Sequence, residues 1–331
     1  MSLKIIRPGL LDTIQDMGRF GYQQLGINPG GAMDIFAMQV ANILVGNDLN
    51  EAVIEMHYPA STLLLESDAI IAVSGADFSL MINGDSIPLN RPVIVGRNSV
   101  LQFTESKKGA RAYLAIKGGL QLPLWLDSAS ANLKAELDGF LGKTIQQNDM
   151  LYFKEQNDYS SLLNNTGMKV LSWKADTNWD IFSGDYIYLL PGNELNWLDD
   201  ESKKNFSNGY FTVTSQSDRM GFRLSGEGLN KINNEELVSS AVSFGTIQLL
   251  PNGQLIILMA DHQTIGGYPR MAHVITAHHS KLAQVRSGEK ISFRFTDIKT
   301  AEELLLKQHQ HLKQLESACK FRLEEFLKYL S

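Results

Sequence analysis

A chain of 331 residues, 44% hydrophobic and 20% charged, has the composition of a globular protein with apolar material for more than one core. Its formal net charge of −6 and lack of a basic block exclude a nucleic-acid surface, and a single cysteine, Cys319, excludes intrachain disulfides and multi-cysteine zinc sites. No apolar run reaches the ~20 residues that span a bilayer, and "MSLKIIRPGLLDTIQD" lacks a signal-peptide core, so a cytoplasmic protein with no membrane partner is expected.

The first polar concentration is "DTIQDMGRFGYQQLG" (12–26), with Gln15, Asp16 and Arg19 among glycines. Apolar residues at helical spacing predict a helix over 31–46, stopped by Gly46. Short strands rich in β-branched residues follow: "DAIIAVSG", "PVIVG", "VLQF" and "RAYLAIKGG". Two of them end in polar or glycine corners, Gly75 and Asp77 in one case, Lys117 and a Gly pair in the other. "DGFLGKTI" (138–145) contains Gly-Lys-Thr, but Leu137 stands where a phosphate loop needs glycine and no apolar strand precedes it; it reads as a turn. "KEQNDYSSLLNNTG" (154–167) is the linker candidate, separating a first unit, 1–155, from a second, 168–296.

The second half repeats the short-strand pattern in "YIYLLPG", "GYFTVT", "TIQLLPNGQLIILM" and "KISFRF", with Asn-Gly predicting a tight hairpin turn. Barrels or sandwiches fit this spacing better than a doubly wound sheet. Thr300 to Leu330 carries Leu312, Leu315, Cys319, Leu323, Phe326 and Leu330 at three- or four-residue steps, an amphipathic helix forming the last segment, 297–331.

Two stretches could carry chemistry. "TSQSDRMGFRLSG" (214–226) reads as a turn entering a strand, in which Arg219 either faces solvent beside Asp218 or grips an anion in a bidentate pair. "MADHQTIGGYPR" (259–270) leaves a buried strand. Asp261 could move a proton or orient a neighbour, Gln263 and Thr264 supply directional hydrogen bonds, Gly266 and Gly267 allow close backbone approach, and Tyr268 offers a hydroxyl; a plain polar loop is the alternative. His262, His273, His278 and His279 lack metal-binding spacing, so no metal is expected, and "AHHS" reads as a solvent-facing strand end.

Taken together, "TIQDMGRFGYQQLGINPGGAMD", "ANILVGN", "VSGADF", "RAYLAIKGGL", "SDRMGFRLSG", "GTIQLLPNGQLIILMADHQTIGGYPRMAHVI" and "LAQVRSGEKISF" resemble the 5-oxoprolinase C-subunit family. This family is also called allophanate hydrolase subunit 2-like and is similar to part of the carboxyltransferase domain of urea carboxylase. The resemblance covers roughly residues 3 to 295. It implies a mainly β fold with a few helices, arranged as two cyclophilin-like β-barrel subdomains. It implies work beside a B-like partner protein, related to kinase inhibitors, and an A-type partner. It implies ATP-dependent opening of 5-oxoproline, or of another lactam or amide, by the complex, with ATP activating the carbonyl oxygen.

Carried over by position, Ser217, Asp218 and Arg219 match the family's Ser-Asp-Arg, and Asp261, Gln263, Thr264, Gly266, Gly267 and Tyr268 its Asp-x-Gln-Thr-x-Gly-Gly-Tyr. On this reading Arg219 clamps an anion, the Gly266–Gly267 amides and Thr264 hold an oxyanion, and Asp261 or Tyr268 moves a proton. Alanine at Arg219 or Asp261 is then expected to abolish turnover with the fold intact. The chain departs from the family at Asn28, at "HYPASTLLLE", at "DSASANL" (127–133) and at Gly142-Lys143, where lysine replaces an arginine fork. Two other functions remain open: a biotin-dependent carboxyltransferase component, though no biotinyl-lysine motif is present, and a non-catalytic antagonist of a histidine-kinase inhibitor.

Overall fold

A computed structural model describes every residue except 136, 164–166, 178–183, 185, 234 and 329–331. It is mainly strands, with four α-helices among the described residues: α1 Ile35–Val45, α2 Asp200–Asn208, α3 His279–Ala283 and α4 Ile298–Lys328. The chain forms two compact units. The first comprises Met1–Gly18, Asp34–Thr177 and Gln310–Ser331, the second Arg19–Met33 and Asn178–His309. These differ from the segments expected from sequence, 1–155, 168–296 and 297–331, in two ways. Residues 19–33 cross into the second unit, and α4 is divided between the two. Both are consequences of long-range packing: Met33 is fully buried in the second unit's core, while Leu312, Cys319 and Leu323 are the buried positions of the C-terminal part of α4.

The first unit holds two six-stranded antiparallel sheets. One contains Ser2–Arg7, Thr62–Leu65, Leu80–Ile82, Asp85–Ser86, Val100–Phe103 and Met150–Tyr152; the other Thr13–Gln15, Val53–Met56, Ala69–Asp77, Pro92–Val95, Lys108–Ile116 and Met168–Val170. Side chains alternate across each strand, so Leu3, Ile5, Leu63 and Leu101 from the first sheet share a core with Ile54, Ile71, Val93 and Leu114 from the second. α1 packs on the second sheet, along Ala69–Asp77 and Lys108–Ile116. It begins later than the expected residue 31, because Gly30 and Gly31 have positive φ and Asp34 is the cap, its carboxylate accepting the Ala37 N–H at 2.9 Å. Gly46, at φ 73°, ends it as expected.

The second unit is a closed seven-stranded barrel. Its strands run in the order Tyr186–Pro191, Arg270–Val274, Thr246–Leu249, Leu255–Leu258, Gly221–Ser225, Tyr210–Val213 and Lys290–Phe295. The last closes on the first in parallel, Ile187 opposite Phe293, and every other pair is antiparallel. The Asn-Gly turn joins Thr246–Leu249 to Leu255–Leu258 as expected, with Gly253 at φ 78°. Ile247 and Leu249 enter the core, beside Phe206 of α2, Phe211 and Phe293. Phe206 meets Phe293 edge-on at 5.5 Å.

"AHHS" does not face solvent. His278 is buried, its Nδ1 accepting the Tyr188 N–H at 3.0 Å while its ring stacks on Tyr188. His279 stacks on Phe244 with ring centres 4.4 Å apart, and its Nε2 lies 3.2 Å from the Val274 carbonyl. Imidazole has an apolar face as well as polar edges, so a short helix start with local partners can bury it. The Leu330 end of the apolar stripe lies outside the described residues.

Candidate functional site

The hairpin tip between Tyr210–Val213 and Gly221–Ser225 is folded by its own side chains. Ser217 Oγ accepts the Arg223 N–H at 3.0 Å, and Asp218 Oδ1 accepts the N–H groups of Met220 at 2.8 Å and Gly221 at 3.2 Å. Ser217 and Asp218 Oδ1 thereby serve the turn itself. Arg219 turns inward and is 4% exposed. Asp261, 8% exposed, follows the strand Leu255–Leu258 and meets it. Nε donates to Oδ2 at 2.9 Å and Nη2 to Oδ1 at 3.1 Å, a bidentate pair, and the Asp261 N–H donates to the Arg219 carbonyl at 2.8 Å. Arg219 Nη2 also donates to the Gly31 carbonyl at 2.6 Å. Arg219 is thus neither on the surface nor presented as an open fork; it joins the barrel to the loop Arg19–Met33.

That loop is closed by the Arg19 N–H donating to the Pro29 carbonyl at 2.8 Å. Gly30 and Gly31 take φ values of 63° and 90°, which side chains resist. A Cβ on Gly30 would lie 3.2 Å from Nη1 of Arg19 and 3.8 Å from Oδ1 of Asp261. Arg19 is itself 1% exposed. Arg19, Arg219 and Asp261 therefore surround one glycine turn.

Beyond Asp261 the chain heads elsewhere. His262 Nδ1 lies 2.5 Å from the Gln263 carbonyl, and burial holds its pKa below the ordinary value. Gln263 is exposed. The Thr264 carbonyl accepts the Val242 N–H, and Ile265–Gly266 pairs antiparallel with Ser240–Ala241. Gly266 lies against Gln248, whose Nε2 would be 2.7 Å from an added Cβ; Gly267 lies against Ser239 in the same way, at 3.2 Å from its Oγ. Close backbone approach is what both glycines permit. Gly267 and Tyr268 line an open cleft of ≈ 880 Å³ with Leu229, Leu249, Lys231 and Asn252. Tyr268 is 44% exposed there. The structure thus joins Arg219 to Asp261, sets Gly266, Gly267 and Tyr268 together some way along the same segment, and leaves Ser217 and Asp218 in their own turn.

Glu194, Ser240, Ser243 and Thr246 are polar groups of the second unit that were not singled out from sequence, and they partner Arg270 and His273, which were. Glu194 receives Arg270 at Oε1 from Nη2 (2.9 Å) and at Oε2 from Nε (3.0 Å) and the backbone N–H (2.9 Å), while Nη1 donates to Ser240 Oγ at 3.0 Å. Burial opposes the charge on Glu194, but the Arg270 hydrogen bonds outweigh it and hold its pKa below the ordinary value. His273 Nδ1 lies 3.2 Å from Thr246 Oγ1, which lies 3.3 Å from Ser243 Oγ. Burial, and then the Arg270 charge, keeps this imidazole neutral to lower pH than usual. The available signal was "TIQL": polar residues at alternate positions of a buried strand mark a second, polar face. Among the described residues no three histidine, cysteine or acidic groups come close enough to hold a metal.

Apart from Arg19, the first-half candidates serve the first unit. Gln15 donates to Thr13 at 3.0 Å. Asp16 accepts from Ser128 Oγ (2.7 Å), Ser130 Oγ (2.5 Å) and the N–H groups of Ala129 and Gly18 (both 2.7 Å). The divergent "DSASANL" stretch is thus the segment that saturates Asp16. Lys143, in place of an arginine, holds both oxygens of Asp149, at 2.8 and 3.0 Å. Asp77 accepts the Ser79 N–H at 2.9 Å to close a turn, and the Gly118 N–H donates to Asn47 at 2.8 Å.

Residues 25–295 match the model of the carboxyltransferase domain, subdomain A and B. The 5-oxoprolinase C subunit of Haemophilus influenzae is 36% identical over 92% of this chain and 94% of its own length. That of Escherichia coli is 34% identical over 95% and 97%. The chain belongs to the 5-oxoprolinase C-subunit family. The chain shares its fold with part of a larger protein: the urea amidolyase of K. lactis superposes with a TM-score of 0.84 at 25% identity, over 95% of this chain and 20% of the larger one. Among the aligned relatives, the two C subunits are matched nearly end to end, whereas the Saccharomyces cerevisiae urea amidolyase, 27% identical over 98% of this chain, is matched over 18% of its length.

Proposed function

We propose that this chain is the C subunit of an ATP-dependent 5-oxoprolinase, acting with a B-like and an A-type partner. The observation that carries the reading is the near end-to-end match, at 34 and 36% identity, with two proteins named as C subunits of 5-oxoprolinase. The lactam of 5-oxoproline is an unstrained amide and resists water. Transfer of the γ-phosphoryl group of ATP to its carbonyl oxygen makes that carbon electrophilic. One water adds, the ring C–N bond breaks as the nitrogen takes a proton, and a second water releases phosphate from the resulting acyl phosphate.

Within this scheme the chain's residues have distinct tasks. The Asp261–Arg219 pair is a positioning device, because both groups are buried and satisfied by one another and by Gly31. Tyr268, exposed and lining the ≈ 880 Å³ cleft, exchanges a proton with the bound molecule in this reading. Gly266 and Gly267 let the backbone approach closely, and Gln263 and Thr264 flank them. Reconstituting the chain with its B-like and A-type partners and measuring 5-oxoproline-dependent release of ADP tests the reading; no release by a complete, correctly assembled complex removes it.

A carboxyltransferase role is the second reading, favoured by the 0.84 TM-score with urea amidolyase. It predicts carboxylation dependent on a biotin carrier supplied by another chain and no ADP release with 5-oxoproline.

A further inference from the structure

The turn Asn-Pro-Gly-Gly-Ala contains an arrangement that the proposed function does not use. Among the described residues, the N–H groups of Gly30, Gly31 and Ala32 meet no acceptor. Gly31 and Ala32 are buried. More than nine in ten buried backbone N–H groups in folded proteins are paired, and leaving one unpaired costs about 1–3 kcal/mol. Two buried ones in succession, next to the half-buried Gly30 and in a turn whose positive φ values need two glycines, are a costly local structure unless an acceptor bridges them. Successive main-chain amides in such turns bind anions. The Arg19 side chain, 1% exposed, brings its guanidinium to the same turn, and the Arg219–Asp261 pair anchors that turn at the Gly31 carbonyl. Arg19 Nη1 would lie 3.2 Å from a Gly30 Cβ, tighter than an ordinary contact, so glycine is what lets the guanidinium sit this close to the turn.

We infer that the amides of Gly30, Gly31 and Ala32, with the Arg19 guanidinium beside them, form a cradle for an oxyanion, the shared chemistry of a carboxylate and a phosphoryl group. The Asp261–Arg219 pair has a part in it. By gripping the Gly31 carbonyl it fixes the peptide plane that aims the next N–H, that of Ala32. This deepens the proposed function and rests on it only for the choice of anions to try, the substrate carboxylate or the transferred phosphate; the cradle itself rests on the turn.

The test uses the full chain labelled with ¹⁵N-glycine and ¹⁵N-alanine, titrated at constant ionic strength with 5-oxoproline, inorganic phosphate or chloride while the amide resonances are followed. The cradle predicts that Gly30, Gly31 and Ala32 move together along one saturable curve. A response to 5-oxoproline identifies the carboxylate as occupant, and a response to phosphate alone identifies the phosphoryl group. Arg19→Gln weakens binding roughly tenfold or more, the loss expected for one charge-assisted hydrogen bond; Arg19→Lys, which keeps the charge, recovers part of it and guards against misfolding of the first variant. Amides that stay still with both oxyanions, that follow chloride equally, or that respond unchanged in both Arg19 variants overturn the inference. The two proposals fail separately. Titrating amides in a chain whose complex releases no ADP sink the oxoprolinase reading and leave the cradle, and the converse sinks the cradle alone.

Discussion

Asp261 and Arg219 hold one another at two points through their side chains, at 2.9 and 3.1 Å, and at a third through the Asp261 N–H and Arg219 carbonyl at 2.8 Å. Two loops 42 residues apart in sequence are thereby locked into one piece, and a further Arg219 contact carries that lock to Gly31. Because both side chains are buried, removing either strands the other charge away from water. Asp261→Ala is therefore expected to lower unfolding stability by about 3–5 kcal/mol, and Asp261→Asn, which keeps shape and one acceptor, by less. The expectation from sequence that alanine at either position spares the fold does not survive this burial. Urea denaturation of the second unit checks the change; a loss below about 1 kcal/mol would mean that the pair is solvated.

Tyr268 gives the opposite kind of prediction. Its side chain is 44% exposed and its ring caps no core. Tyr268→Phe should leave stability within about 0.5 kcal/mol and reduce turnover of the complex by roughly 100-fold or more if the hydroxyl moves a proton. Unchanged kcat in a complex that assembles normally would assign the proton to another group.

Glu194 fixes the side chain of Arg270, at the start of a barrel strand, and Arg270 in turn holds Ser240 of the short strand Ser240–Ala241. Glu194→Gln keeps the shape but removes the charge, so the strand opens more often and its amides exchange roughly tenfold faster or more. The pH dependence follows from the lowered pKa of Glu194: its contribution is complete above the ordinary carboxylate range and is lost as pH falls through the depressed value. Equal exchange rates in the variant and the parent would contradict the tie.

The two units should respond to acid in opposite directions. In the first, burial raises the Asp12 pKa from 3.8 to about 6, against the donors Ser61 and His57. The folded state takes up a proton there before the unfolded chain does, so this group adds stability as pH falls from about 6 toward 4. In the second, burial lowers the His279 pKa from 6.5 to about 4. The unfolded chain takes up that proton first, so stability is lost over much the same interval. His262 and His273 shift in the same direction as His279. Hydrogen exchange resolved by segment, compared at pH 7 and pH 5, should show protection rising in the first unit relative to the second; the reverse order would contradict these assignments.

What the sequence disclosed, and what it withheld, follows the range of the interactions. Strands such as Ala69–Asp77 and the Asn-Gly hairpin are set by alternation and turn chemistry within a few residues, and both were readable. The stop at Gly46 was readable too, but not the start of α1, because the glycines before it look like helix entry until their φ values are known. Both polar stretches of the candidate site stood out, Ser217–Arg219 and Asp261–Tyr268. That Arg219 would spend its charge on Asp261 could not be seen, since pairing across 42 residues leaves no local trace. For the same reason the crossing of residues 19–33 into the second unit was hidden, and with it the relation of Gly31 to Arg219. Glu194 lay in a short Pro-Gly-Asn-Glu turn with nothing nearby to suggest that Arg270 would reach it.

The most direct measurement is ADP release dependent on 5-oxoproline, by the B-like and A-type partners with and without this chain. The account predicts release, with glutamate formed in equal amount, only when the chain is present. Equal release without it, or none from the complete assembly, would contradict the account.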